Sequence, residues 1–112
     1  MGKEVQVVEN GDIIIEKDNV LMLTKPYMFE GTEYTEVDLS GLENIKAKDM
    51  IEAEKIYGRS GGFSFIPEMS MEYALVIATR ASKHPIEFYQ GLPPRDAMRV
   101  KNKITNFFFG MA

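Results

Sequence analysis

Residues 21–39, LMLTKPYMFEGTEYTEVDL, decide the fold class. Two runs, Leu21 to Phe29 and Thr32 to Leu39, flank Glu30-Gly31. Runs of strand length with aromatic and β-branched side chains, broken by a two-residue turn containing glycine, predict an antiparallel hairpin. With Glu30-Gly31 as the turn, Tyr27 falls opposite Tyr34 and Lys25 opposite Glu36 on one face. Met22 then meets Leu39, and Thr24 meets Val37, on the other. An aromatic pair and an opposite-charge pair each favour such a register by roughly 0.2–1 kcal/mol. Pro26 lacks an N–H for the ladder, so its strand lies at an edge or carries a bulge.

Towards the N-terminus, Val5 to Val8 and Ile13 to Glu16 flank Asn10-Gly11, a pair suited to the two positive φ angles of a type I′ turn. The segment is terminal and rich in charge, so residues 1–19 read either as a second hairpin or as a frayed segment. Towards the C-terminus, Ser40-Gly41 ends the β region and helical spacing takes over. Met50, Ala53 and Tyr57 predict a helix over about 47–57, with Gly58 as its stop. A glycine-rich loop, Arg59 to Pro67, carries Phe63, Phe65 and Ile66, an apolar load that suggests docking onto something. Met71, Ala74, Leu75, Ala78 and Ala81 form one stripe, widened by Ile77, in a central core helix over about 68–83.

His84-Pro85 breaks that helix, because a residue before proline avoids helical backbone. Ile86 to Gln90 reads as one helical turn, and a last helix runs over about 94–109 with Pro94 in its first turn. Its core face holds Ala97, Val100, Ile104, Phe107 and Phe108; Arg95, Arg99 and Lys103 fall opposite. The expectation is an α+β fold: N-terminal hairpin or hairpins, then three or four helices, with residues 20–112 forming one domain.

The composition fits a globular domain: 112 residues, 45% hydrophobic and 27% charged. There is no cysteine, which excludes disulfides, thiolate metal sites and cysteine nucleophiles, and mildly favours a reducing compartment. No apolar run approaches a membrane span or a signal-peptide core. Residues 1–56 carry 13 acids and 6 bases, and residues 57–112 carry 4 acids and 7 bases. That split suits two solvated faces, or head-to-tail self-association. Nucleic-acid binding is a poor fit to a net charge of -4.

A search for catalytic chemistry finds nothing to build on. His84 is the single histidine, and its place at a helix end suits a cap or surface group. Triads and zinc sites need more partners than this. Glu52 and Glu54 lie on different helix faces. The stretch Gly58-Arg59-Ser60-Gly61-Gly62 lacks the Lys-Ser/Thr of a phosphate loop and follows a helix rather than a strand. No cofactor or metal is expected, and no enzyme activity. Binding features stand out instead. There are 8 methionines, 7 phenylalanines and 5 tyrosines, and methionine is an adaptable filler of binding surfaces. Met98 and Phe109 lie off the core stripe of the last helix, so they are candidates for a partner-facing patch.

Several stretches together resemble the tail assembly chaperones of long-tailed bacteriophages and prophages. They are Lys25 to Tyr34 with Glu36 to Ser40, Asp49 to Glu54, His84 to Ala97, and Val100 to Phe108. The resemblance spans about residues 20–110 through short, degenerate pieces. It implies a non-enzymatic protein of the host bacterial cytoplasm. Such a protein binds the tape measure protein, keeps it soluble, helps recruit tail tube subunits, and is absent from the finished particle. The other reading is a small tail or connector protein retained in the virion. The family's pattern transfers no functional side chain. The candidates therefore come from geometry: Met98 and Phe109 for a patch, Phe63 and Phe65 for the loop, and Arg95, Arg99 and Lys103 for a charged face. Partners are proteins, with no nucleic acid and no membrane.

Overall fold

The computed structural model describes residues 4–9, 12–17, 19–59, 61 and 66–110, with backbone alone for the strands before residue 18 and for Glu68. The order is β1 (Glu4–Glu9), β2 (Asp12–Lys17), β3 (Val20–Phe29), β4 (Thr32–Asp38), a 3-10 turn (Ser40–Asn44) and α1 (Ala47–Arg59). A second 3-10 turn (Pro67–Met69), α2 (Met71–Ala81), α3 (Ile86–Gln90) and α4 (Pro94–Phe109) follow. The fold is α+β, with hairpins first and four helices after them among the described residues. β1 pairs antiparallel with β2, Val8 opposite Ile13, in a two-stranded sheet of its own. The Asn10-Gly11 turn between them lies outside the described residues.

The second hairpin turns where the sequence places it. Glu30 and Gly31 have φ of 51° and 82°, the two positive angles of a type I′ turn. Tyr27 pairs with Tyr34 as expected. Beyond that pair the expected register fails. Met22 faces Glu36 rather than Leu39, Leu21 rather than Thr24 faces Val37, and a register shift separates Met22 from Tyr27. Lys25 therefore has no Glu36 opposite it. The bulge sits around Pro26, which has no amide hydrogen to give the ladder.

The shift solves a parity problem. On β3 the inward residues Leu21, Leu23, Tyr27 and Phe29 share one parity, but on β4 Tyr34 and Val37 do not. A slip by an odd number of residues turns both onto the helices. One regular ladder would have left either Tyr34 or Val37 and Leu39 in solvent. Asn19, with φ of 60°, links β2 to β3, and its carbonyl accepts the Leu39 N–H at 2.7 Å.

α2 runs through the centre. Tyr73 to Ala78 are consecutive buried residues, so the helix is covered on all sides rather than along one stripe. It starts at Met71, later than the expected 68, because the Ser70 hydroxyl accepts the Tyr73 N–H at 3.1 Å and caps it there. Gly58 does not stop α1, which reaches Arg59. The left-handed residue is Gly61 (φ 84°), whose N–H donates to the Gly58 carbonyl at 3.2 Å. Gly41 lets the first 3-10 turn lie on the end of α2: a Cβ there would sit 2.3 Å from the Ala81 carbonyl oxygen. The buried cluster runs from Leu21 to Ile104 and draws on the hairpin, the first 3-10 turn and all four helices.

Candidate protein-binding surface

The outer face of α4 is built by its own periodicity. Val100 and Ile104 are buried, and Asp96 beside them is too. Met98 and Phe109 point the opposite way and keep 45% and 47% of their surface. They are eleven residues apart, which is three turns and about 16 Å of helix axis. Arg95 is exposed, and Lys101 and Lys103 are half-buried. Pro94 opens the helix, and Gly110, in left-handed backbone at φ 66°, closes it on the Asn106 carbonyl.

Two residues of this helix depart from the expectation. Phe107 belongs by angle to the core stripe, yet it is 41% exposed, because it lies a turn beyond Ile104, the last fully buried residue of α4. Phe108 alone of the three phenylalanines packs against the core, with its ring 6.1 Å from that of Tyr73. Arg99 does not join Arg95 on an outward charged face. Its guanidinium donates to the Met22 carbonyl and lies 3.5 Å from the Asp96 carboxylate.

Asp96 escaped the sequence reading. It is fully buried and accepts the Thr24 N–H at 3.0 Å and the Thr24 hydroxyl at 3.1 Å. An acid in the first helical turn was visible, since helix N-termini favour negative charge. Its partner 72 residues away was not. Arg99 and Asp96 together occupy the carbonyl of Met22 and the amide of Thr24 on β3. No strand pairs with the far edge of β4 among the described residues, and its outward residues Glu33, Glu36 and Asp38 are exposed acids, which discourage strand pairing.

His84 is neither a cap nor an isolated surface group. Its ring stacks on Phe88 at 4.0 Å and meets Tyr34 edge-on at 5.1 Å. Burial pushes its pKa below the usual histidine value. Tyr27 completes this seam by donating its hydroxyl to the Phe88 carbonyl at 2.8 Å. Beside Phe88, the Tyr89 and Ser82 hydroxyls share a hydrogen bond, and the Ser82 hydroxyl donates to the Ala78 carbonyl at 2.8 Å. Burial pushes the Tyr89 pKa up to about 12.

No family model matches the chain, and no curated protein or solved structure matches it.

Among the described residues no three metal-ligating side chains converge, and no helix is long and apolar enough to cross a membrane. Phe63 and Phe65 lie outside the described residues. Ile66 and Met69, next along the chain, are 44% and 47% exposed. Ile66 belongs to the apolar load the sequence reading placed in this loop, whereas Met69 and Phe107 are apolar surface that it did not single out. The only cue was the crowding of apolar residues on either side of a glycine loop.

Proposed function

We infer that this chain is a tail assembly chaperone of a long-tailed bacteriophage or prophage, a non-enzymatic protein that works in the host cytoplasm. It binds the tape measure protein, holds it soluble and helps bring tail tube subunits to it. One observation carries the reading: with a complete core beneath them, Met98 and Phe109 remain nearly half exposed on a cation-bearing helix face. A long helical client has apolar stripes that aggregate until they are covered. A small domain with adaptable thioether and aromatic contacts masks such stripes weakly and repeatedly along one chain. Avidity then holds the coat together while each contact stays displaceable. The resemblance over residues 20–110 supplies the client's identity.

Co-expression with the tape measure protein tests this. The chain raises the client's soluble yield several-fold, and Met98→Asp with Phe109→Asp abolishes the gain while the urea midpoint of the domain holds. Mass spectrometry of purified virions finds the protein missing. Its presence there at stoichiometric levels would favour a retained tail or connector component and sink the chaperone reading.

A further inference from the structure

We propose that α1 is a hinged cover: it lifts off α2 as one unit ahead of global unfolding, and so bares an apolar surface that the closed fold withholds.

α1 is held shallowly. Of its 13 residues only Ala53 is fully buried, whereas most of α2, including the whole run Tyr73 to Ala78, is buried. Met50 and Ile56 pack half-buried against the core, and Ile51 is exposed. The Tyr73 hydroxyl reaches the Met50 carbonyl at 3.5 Å, the weak end of hydrogen bonding. Elements that bury few apolar contacts lie at the low end of local stability.

The backbone of α1 is tied to its own neighbourhood. The Lys46 N–H donates to the Asp49 carboxylate at 3.0 Å, which is half of a capping box. The Asp49 and Met50 N–H groups donate to the Lys46 carbonyl at 2.9 and 3.3 Å. At the other end the Gly61 N–H donates to the Gly58 carbonyl at 3.2 Å. None of these bonds anchors the helix to another element. Extended backbone at Ile45, with ψ of 136°, leads into the helix, and Gly61, with φ of 84°, follows it. Both are element-terminal positions of the kind that absorb a change of direction.

The cross-links between the other elements bypass α1. Asp96 joins α4 to β3 through Thr24, and the Tyr27 hydroxyl joins β3 to α3 through the Phe88 carbonyl. The Tyr89 and Ser82 hydroxyls join α3 to the end of α2. All three stand with α1 lifted, and Tyr73 keeps its ring contact with Phe108 at 6.1 Å. The opened form shows Met50, Ala53 and Ile56 together with the flank of α2 that they cover.

A single thiol reads the opening, because the chain has no cysteine. Ala53→Cys and Val100→Cys each place one at a fully buried site, and the two variants are labelled in parallel with a thiol-reactive reagent. Ala53→Cys reacts about tenfold faster or more, at a rate that rises only gently with urea, since local opening exposes little surface. Val100→Cys reacts at a rate that climbs steeply with urea, because only global unfolding reaches it. Hydrogen exchange on the unaltered chain guards against damage by either substitution. A detached helix of this length is marginal in water, so the α1 amides exchange about tenfold faster than those of α2, with a shallow urea slope. Equal labelling of both thiols with one steep urea slope overturns the inference. So does exchange of α1 and α2 in a single step. Exchange graded inwards from the ends of α1, with the thiol of Ala53→Cys still protected, is fraying rather than a hinged lift and overturns it too.

Discussion

Asp96 shows how a single side chain couples distant parts of the chain. Its two oxygens satisfy the Thr24 amide, the Thr24 hydroxyl and Arg99. Asp96→Ala leaves the Thr24 donors without their acceptor and takes the carboxylate from beside a largely buried guanidinium, so it should cost about 3 kcal/mol, read as a lowered urea midpoint. His84 gives a second residue-level expectation, with a definite sign. Its folded pKa is lowered by burial against Phe88, so the unfolded chain binds the proton more readily. Stability from this group is fully present above the unfolded value of about 6.5, falls as pH drops below it, and levels off once the folded pKa is passed. Thermal melts between neutral and mildly acid pH should show the decline, and His84→Phe should flatten it. Neither partner set was legible in advance. Composition showed that His84 stood alone, but only the fold brings Phe88 and Tyr34 to its ring.

Elements were more legible than contacts, and the reasons are local. Pro94 and Gly110 frame α4, and Pro85 separates α2 from α3; such signals act within a few residues, so periodicity and punctuation found them. The β3–β4 register was readable only as far as the turn fixes it. Tyr27 opposite Tyr34 follows from Glu30-Gly31, whereas the slip near Pro26 answers to packing on helices far along the chain. The turn itself is improvable. Glu30 holds φ of 51°, a conformation that costs most L-residues roughly 1–2 kcal/mol. Glu30→Asn should recover about half a kcal/mol and raise the melting temperature. Gly41→Ala should do the reverse by roughly 1–3 kcal/mol, because the new methyl meets the Ala81 backbone rather than a side chain able to swing away.

At the scale of the molecule, an aromatic seam joins hairpin to helices. Tyr27, Phe29, Tyr34 and His84 all gather on Phe88, with ring centroids between 4.0 and 5.3 Å. Phe88→Ala removes the hub of that seam and should cost about 3–5 kcal/mol, enough to unfold a marginal domain and visible as a lost near-ultraviolet signal. The proposed binding face lies on the outer side of α4 and takes no part in the seam. Its substitutions are therefore expected to separate affinity from stability, which hydrogen exchange of the core amides in Met98→Asp would check.

The tie between Thr24 and Asp96 also has a temporal side. A ribosome delivers residue 24 long before residue 96, so the first strand of the second hairpin waits, its bulge unfastened, until α4 has emerged. Nascent chains cut short ahead of α4 should stay open to proteases, and the finished protein should gain its resistance late and in one step.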